Sequence, residues 1–266
     1  MSLQLKTLNI ICSQSELNRI PTGKVLINTI NAHSYNTAQK DEAFAQALRT
    51  VHGSRLTVND KTVCVKFLIP DGASIVKACR WLKAKSQPKE RIAGWDLFAF
   101  EMQRQNEKGK MRKEKCRVMF LGSSNKVLSS IRERAAVDYP RLEVVTYSPP
   151  YKPEFSDEDN KAMIQAINNA NPDLLWIGMT APKQEKWTYQ HWKELDIHCH
   201  VGTIGAVFDF YAGTAKRAPL WWQKHSMEWL YRLLIEPNRM WRRYVIGNPL
   251  FLWNILKEKL QSLLHI

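Results

Sequence analysis

The sequence predicts an α/β fold built on a wound, mostly parallel sheet, and two observations support this prediction. Short apolar runs alternate along the chain with segments whose apolar residues recur at helical spacing, as in βαβ units. Several of these runs end in loops dense with Gly, Pro and polar residues, and ligands bind at the carboxyl ends of parallel strands. After residue 222 the composition changes, so we divide the chain into an α/β domain over 1–222 and a helical C-terminal appendage over 223–266.

The first half of the domain contains two predicted strand–helix units. The predicted elements are a strand over 25–30, a helix over about 37–48, a strand over 63–69 and a helix over 73–82. Polar residues 31–35 form a loop after the first strand, and Pro70-Asp71-Gly72 ends the second. Residues 104–115 are charged and poor in apolar side chains, which predicts a surface connection.

The second half of the domain continues the alternation. The predicted elements are a strand over 117–121, a helix through 134, a strand over 142–147, a helix to about 169 and a strand over 174–178. Gly122 and Ser123 follow the first of these strands, where the N–H groups at a helix N-terminus suit a phosphate. Ser156 begins the second helix as its cap.

The appendage mixes basic and aromatic residues. It contains a predicted helix over 228–234, a break at Pro237, a basic and aromatic stretch over 239–244, a second break at Asn248-Pro249 and an amphipathic segment over 250–266. Within residues 214–266 there are nine basic and three acidic side chains. The whole chain carries 39 Lys and Arg against 25 Asp and Glu, a net charge of +14. Such an excess indicates an anionic partner: nucleic acid, a membrane surface or a phosphorylated ligand.

The pattern of cysteines and the length of the apolar stretches indicate the cellular compartment. The five cysteines are scattered and form no CxxC pair, which predicts free thiols in a reducing compartment rather than a zinc site or disulfides. The N-terminus lacks the apolar core of a signal peptide, and no apolar stretch is long enough to span a bilayer. We therefore expect a cytoplasmic protein whose membrane contact, if any, is peripheral.

Six stretches carry a resemblance to a known family. They are Thr29-Ile30-Asn31, Pro70-Asp71-Gly72, the stretch from Glu90 to Phe98, Pro182-Lys183-Gln184-Glu185, the stretch from Gly205 to Pro219, and the stretch from Glu228 to Tyr244. In this order, and over nearly the whole chain, they resemble the WecG/TagA/CpsF family of bacterial glycosyltransferases.

The resemblance implies a Rossmann-like fold and a reaction. A hexose-type sugar would pass, with inversion, from a UDP-sugar to a polyprenyl-pyrophosphate-linked saccharide, with no cofactor and no essential metal. The setting would be the inner face of the cytoplasmic membrane, in the assembly of exopolysaccharide, capsule or common antigen. The donor sugar stays open among glucose, N-acetylmannosamine and its uronic acid. Thr203 stands where a second glycine is expected, which favours an exopolysaccharide pathway. The oligomeric state, including a homo-oligomer, is also open.

Inverting transfer needs a carboxylate that takes the proton of the attacking hydroxyl, and Asp71 is the candidate base. It follows an apolar strand, so its side chain can project into the crevice. The alternative is that Asp71 only caps the next helix. Thr29 and Asn31 end the preceding strand and are candidates for binding the acceptor or orienting Asp71. A plain Asx-turn is the alternative for these two residues.

Two further groups of candidates bind the phosphorylated substrates. The donor-binding candidates are Gly122, Ser123, Gly178, Gln184 and Glu185. For these, ordinary tight turns and a solvated carboxylate are the alternatives. The candidates for binding the acceptor or a pyrophosphate are Arg217, Arg232, Arg239, Arg242 and Arg243. Four tryptophans of the same region suit lipid headgroups: Trp221, Trp222, Trp229 and Trp241. The alternative is a solvated helical face over a tryptophan-rich core.

Three other features receive structural interpretations. Asp209 is expected to be buried and paired with Arg217, and a catalytic role is the alternative. Asp157-Glu158-Asp159 matches a D-x-D metal motif but opens a helix, which favours capping. His198 and His200 lack metal-ligand spacing within a predicted strand.

Two other function classes stay open. Basic charge and basic–aromatic mixing suggest nucleic-acid binding, although the sequence contains no recognisable nucleic-acid module. A nucleotide-sugar dehydrogenase or epimerase would suit the sheet, but the missing GxGxxG counts against it.

Overall fold

The computed structural model describes residues 3–49, 57–58, 61–62, 65–225 and 227–264. The strands are β1 (Val25–Ile30), β2 (Thr57–Val58), β3 (Lys61–Thr62), β4 (Val65–Pro70), β5 (Cys116–Gly122), β6 (Leu142–Tyr147), β7 (Leu174–Gly178) and β8 (His200–Thr203). Six of them form a parallel sheet in the order β4–β1–β8–β7–β5–β6, and β2 and β3 form an antiparallel pair. The predicted α/β fold with a parallel sheet is confirmed.

Helices cover both faces of the sheet. They are α1 (Ala32–Ala38), α2 (Glu42–Leu48), α3 (Ala73–Leu82), α4 (Gly94–Arg112), α5 (Asn125–Asp138), α6 (Asp157–Ala170), α7 (Lys183–Gln190), α8 (Val207–Ala212), α9 (Leu220–Lys224), α10 (Glu228–Ile235), α11 (Pro237–Trp241) and α12 (Gly247–Leu264). A π-helical turn, Arg242–Ile246, joins α11 to α12. Short 3₁₀ turns, Leu5–Thr7 and Gln14–Arg19, precede β1.

The cores follow the two-residue period of the strands. In β5, Val118 and Phe120 join a cluster with α4, α5 and α8 on one face. Met119 and Leu121 point the other way, into a cluster with α6 and α7. On that second face, α1, α2, α3 and α12 cover the β4–β1 side of the sheet. Because both faces are covered, the strands read as nearly unbroken apolar runs.

The structure corrects the sequence prediction near β1. The expected helix over 37–48 is two helices, and α1 begins within the expected loop. A second start signal explains the break, because the carboxylate of Asp41 accepts a hydrogen bond from the N–H of Phe44 at 3.0 Å and caps α2. Of the strand expected over 63–69, positions 63 and 64 lie outside the described residues, and β4 begins at Val65.

The expected surface connection over 104–115 is also wrong, because α4 continues to Arg112. Beyond Met102 its buried positions are Gln105 and Gly109, with no large apolar side chain. Gly109 lies where a Cβ atom would stand 2.7 Å from the carbonyl oxygen of Arg141. The helix therefore packs through residues that an apolar periodicity does not reveal.

The second break predicted in the appendage is absent. Pro249 lies in the first turn of α12, directly after the π-helical turn, and the helix continues through it. The other expected helices and strands of the second half occur with ends shifted by a few residues, and β6 and β7 match the prediction. None of the described helices is both long and apolar enough to cross a membrane.

Candidate functional site

A large cleft of about 2310 Å³ opens at the carboxyl ends of the strands. The loops after β1, β4, β7 and β8 line its floor, and residues from α10 to α12 line the opposite wall. Most of the candidates from the sequence meet here: Thr29, Asn31, Asp71, Ser123, Gly178, Gln184, Glu185, Arg217, Arg232, Arg242 and Arg243. The topology therefore assembles in one place residues that are far apart in the chain.

Asn31 holds the side chain of Asp71. Its Oδ1 accepts from the N–H of Ser34 at 3.0 Å, and Ser34 Oγ accepts from the N–H of Asn31 at 2.8 Å, which forms the capping box of α1. The side chain of Asn31 also forms a hydrogen bond with Asp71 that stabilises the charged carboxylate. Because a carboxylate only accepts, the amide nitrogen of Asn31 is the donor in that bond.

Asp71 is not the cap of α3. Gly72 occupies the N-cap position, and no side chain caps this helix. The N–H of Asp71 instead donates to the carbonyl of Ile30 at 2.9 Å, which extends the β1–β4 pairing by one residue. The carboxyl group of Asp71 therefore makes no capping bond and lines the cleft.

Charges around Asp71 oppose one another. Burial raises the pKa of Asp71, Arg91 lowers it, Glu228 raises it, and Arg243 and the hydrogen bond from Asn31 lower it. The net effect is a raised pKa. Such a carboxyl is a stronger proton acceptor than a solvated aspartate, provided that it is ionised.

Arg91 is a site residue that the sequence analysis missed. The N–H of Ile92 donates to the carbonyl of Pro70 at 3.0 Å, which fixes the Arg91 loop beside Asp71. Arg91 Nη1 contacts Glu228 Oε2 at 3.1 Å, and the side chains of both residues are mostly buried. Its position within the third family-like stretch was the available signal.

Glu228 also lies close to Arg217 in the cleft. Arg217 Nε lies 4.0 Å from Glu228 Oε1, and its guanidinium lies over the ring of Trp95. The expected pairing of Asp209 with Arg217 is therefore wrong. Asp209 instead accepts from Thr214 Oγ1 at 3.4 Å after α8.

Gln184 ties two strand-end loops together. Its Oε1 accepts from the N–H groups of Met179 and Gly205, each at 3.2 Å. Its Nε2 donates to Glu185 Oε1 at 2.9 Å. Both side chains are buried at the start of α7. Burial raises the pKa of Glu185 to about 7, against the hydrogen bonds from Gln184 and from its own backbone N–H.

The glycine candidates have packing roles. Gly122 is not among the lining residues of the cleft, and a Cβ atom there would stand 2.3 Å from the carbonyl oxygen of Gly178. At Gly178 a Cβ atom would meet the ring of Phe208 at 2.5 Å. Ser123 does line the cleft, and its carbonyl accepts from Ser148 Oγ at 2.7 Å.

The remaining arginines line the opposite wall. Arg232 lies over the ring of Phe210, Arg242 over Trp241 and Arg243 over Tyr244. The side chain of Arg239, the fifth arginine predicted from the sequence, lies outside the described residues. Arg232, Arg242 and Arg243 give this wall a strongly positive character suited to phosphate oxygens, and Arg91 and Arg217 line the cleft beside Glu228.

Other residues considered from the sequence lie elsewhere. Thr203 is buried and donates to Asn28 Oδ1 at 2.7 Å, away from the cleft lining. Asp159 forms the predicted capping box with Ser156. His200 is buried at the opposite end of its strand, 3.0 Å from Glu101 Oε1. Among the described residues, no group of three His, Cys, Asp or Glu side chains is placed to hold a metal ion.

Comparison with known proteins gives a family and several relatives. The model of the glycosyl transferase WecG/TagA/CpsF family matches residues 12–264. The chain is similar to the N-acetylglucosaminyldiphosphoundecaprenol N-acetyl-β-D-mannosaminyltransferase of Bacillus subtilis, with 27% identity over 88% of this chain and 80% of the relative. The protein of that name from Bacillus spizizenii is 31% identical over 74% of this chain and 70% of its own length. The Staphylococcus aureus protein is 26% identical over 90% and 82%, respectively.

Proposed function

Because the chain belongs to the WecG/TagA/CpsF family of glycosyltransferases, we propose that it transfers a sugar from UDP to a polyprenyl-diphosphate-linked saccharide, with inversion. The names of the relatives favour N-acetylmannosamine as the sugar and N-acetylglucosaminyl-diphosphoundecaprenol as the acceptor. The exopolysaccharide pathway stays a prediction. The position of Thr203 away from the cleft lends it no support.

One observation carries the proposal: Asp71, held by Asn31, faces a wall of arginines across the cleft. Asp71 takes the proton of the acceptor hydroxyl while that oxygen attacks C1 of the sugar. The C1–O bond to the diphosphate breaks on the opposite face, and its electron pair leaves with UDP. The product sugar is inverted at C1.

The arginines stabilise the leaving group. Negative charge grows on the diphosphate as the C1–O bond breaks, and fixed guanidinium groups are favourably placed to stabilise it. The candidates are Arg232, Arg242 and Arg243 on the wall, Arg217 in the loop before it, and Arg91 near Asp71. We propose that these cations allow transfer without an essential metal, and transfer should therefore persist in EDTA.

The outer surface of the C-terminal part suits a membrane. Large apolar side chains of the last helices are exposed there and do not line the cleft: Trp221, Trp253, Leu256, Leu260, Leu263 and Leu264. Lys257 and Lys259 lie on the same helix as most of them, and cations are attracted to anionic lipids. We propose that this surface docks on the inner face of the cytoplasmic membrane, where the lipid acceptor enters the cleft.

A transfer assay tests the proposal. UDP-N-acetylmannosamine, its uronic acid and UDP-glucose are each supplied with N-acetylglucosaminyl-diphosphoundecaprenol in vesicles, with and without EDTA. We expect product from UDP-N-acetylmannosamine in both conditions, inverted at C1 by NMR. Product formed only from another donor would show that the transferred sugar is not N-acetylmannosamine. No product from any donor, with no binding of UDP-sugars, would refute the reaction.

A further inference from the structure

Glu185 is a buried carboxyl group that the catalytic scheme leaves unused. It is only 2% exposed and lines the cleft. Its Oε1 accepts from Gln184 Nε2 at 2.9 Å. Its Oε2 is buried and has no hydrogen-bond partner among the described residues. Burial of a polar atom without a partner is unfavourable, so this oxygen is suited to a ligand.

The orientation of Gln184 fixes which oxygen of Glu185 is available. Gln184 Oε1 already accepts two backbone N–H groups, from Met179 and Gly205. Its nitrogen must therefore face Glu185, and Oε1 of Glu185 is the acceptor. A proton on the carboxyl group then resides on Oε2, which becomes a hydrogen-bond donor.

The neighbouring charges do not hold Glu185 in its ionised form. Lys183 and Lys186 lie on α7 with Glu185, and the charged residues Lys40, Asp41, Lys152 and Asp209 line the same cleft. Lys186 pairs with Asp41 at 2.9 Å, and Lys183 donates to the carbonyl of Lys152. Burial is the main influence on the pKa of Glu185, which lies at about 7.

We propose that Glu185 binds the UDP-sugar as a neutral carboxylic acid, with Oε2–H donating to an oxygen of the donor, so that donor binding takes up a proton from solvent. This inference rests on the proposed use of a UDP-sugar. The physical reason is that the diphosphate disfavours a second negative charge in the same cleft. A carboxylate there would repel the ligand, whereas a carboxylic acid supplies the donor that the ligand oxygen needs.

The sign of the pH dependence follows. The pKa of Glu185 is higher in the complex than in the free protein, so binding is strongest below the free value and weakens as the pH rises above about 7. Between about pH 6 and about pH 8 the Kd should increase about tenfold. An ionised Glu185 that accepts from a sugar hydroxyl would give the opposite trend.

Isothermal titration calorimetry without acceptor tests the proposal. UDP-N-acetylmannosamine and UDP-glucose are titrated into the full-length protein in buffers of different ionisation enthalpy, which reports the protons exchanged on binding. The diphosphate of a UDP-sugar is fully ionised throughout this range, so an exchanged proton belongs to the protein. We expect uptake of more than half a proton at about pH 7.5.

Three variants locate the proton. Glu185→Gln should bind UDP-sugar with no proton uptake and with a pH-independent Kd. Asp71→Asn and His33→Gln should keep the uptake. His33 lines the cleft, but burial, followed by the charge of Arg243, lowers its pKa and moves its titration to lower pH. A thermal unfolding curve establishes that each variant is folded.

The outcomes separate the two claims. Binding of UDP-sugar with zero uptake or with proton release would overturn the role of Glu185 and leave the transferase proposal standing. Uptake that persists in Glu185→Gln would also overturn it. Absence of UDP-sugar binding at every pH would refute the donor assignment, and the inference with it.

Discussion

The two walls of the cleft are built in opposite ways. On the sheet side, strand pairing, the capping box of Asn31 and the two N–H groups on Gln184 fix every catalytic candidate through the backbone. The opposite wall, residues 220–264, is the C-terminal segment. Within it α10 buries no residue, and α12 buries only Phe251, Ile255 and Glu258. Most of the large apolar side chains that are exposed in the described residues lie on this segment.

The segment is nevertheless attached at defined points. Glu258 accepts from the N–H of Leu5 at 3.0 Å, from the N–H of Lys6 at 2.6 Å and from Tyr35 Oη at 2.6 Å. Asn36 Nδ2 donates to the carbonyl of Gly247 at 2.7 Å. Tyr35 and Asn36 belong to α1, the helix that Asn31 caps. One short helix thus joins the residue that orients Asp71 to the helix that carries the apolar surface.

This difference separates two tasks. The sheet side holds the proposed reacting groups rigidly, which suits a general base, because small displacements of such a base cost much of the rate. The C-terminal segment lines the cleft with Arg232, Arg242 and Arg243 and leaves apolar side chains of α12 exposed, which suits a ligand whose charged headgroup and lipid tail need different surroundings. Changes on the sheet side should therefore affect chemistry, and changes on the outer surface should affect access to the lipid.

The largest expected effect comes from Asp71→Asn. Asparagine keeps the shape of the side chain but cannot take the proton, so transfer should decrease about 10²–10⁴-fold. UDP-sugar binding and the melting temperature should change little, as measured by calorimetry and thermal unfolding. Asp159→Asn, at the cap of α6, is the matched control and should retain transfer. Near-wild-type turnover in Asp71→Asn would show that Asp71 is not the general base.

The second prediction concerns the outer surface. Leu260 and Leu263 are about half exposed, and replacing both with Glu removes two apolar side chains from the lipid contact. At about 1.5–3 kcal/mol for each leucine, vesicle binding should weaken at least about a hundredfold. Co-sedimentation with vesicles measures this loss, and transfer to a short-chain, water-soluble acceptor should be retained.

Val137→Glu is the control for that change. Val137 is 80% exposed on α5, far from the C-terminal segment in the chain, and its substitution should leave vesicle binding intact. Equal losses in both variants would mean that membrane contact is not confined to the segment, and the contrast between the two walls would fail.

Sequence reasoning was more successful for the sheet side than for the segment. The apolar runs of β6 and β7 and the cap at Ser156 are local signals, and local signals are sufficient where strands end in short loops. The meeting of Asp71 with Gln184 also follows from parallel strands that share one edge. The fold and most of the cleft lining were therefore predictable.

Three of the failures share a physical cause, which is packing between different elements of the fold. Sequence reasoning missed Arg91 because its place in the site depends on Glu228, which lies 137 residues away in the chain. The α4 helix continues past residue 104 on buried polar contacts, and Arg217 pairs with Glu228 instead of the nearer Asp209. A single sequence contains no local signal for such contacts, so charge and spacing alone gave the wrong partner.

A moderate effect is expected from Arg91→Gln. The cation of Arg91 is the largest influence that opposes the raised pKa of Asp71, and its removal should raise that pKa further. Because transfer needs the ionised carboxylate, the acidic limb of the kcat/KM profile should move to higher pH by about one unit. Arg134→Gln, on α5 beside Asp138, is the control that leaves the profile in place. An unchanged limb would show that the two walls are not electrostatically coupled through Arg91.

The smallest expected effect tests how firmly the segment is attached to α1. Tyr35→Phe removes only the hydroxyl that donates to Glu258 Oε2, and the ring contact with Phe251 stays. The buried carboxylate keeps its two backbone donors, so the free energy of unfolding should decrease by about 1–2 kcal/mol, or about 2–4 °C in melting temperature. Tyr151→Phe, at a fully exposed tyrosine, should not shift the melting temperature. If Tyr35→Phe were silent as well, the Glu258 contacts would contribute little, and the segment would be held mainly by Phe251 and Ile255 in the core.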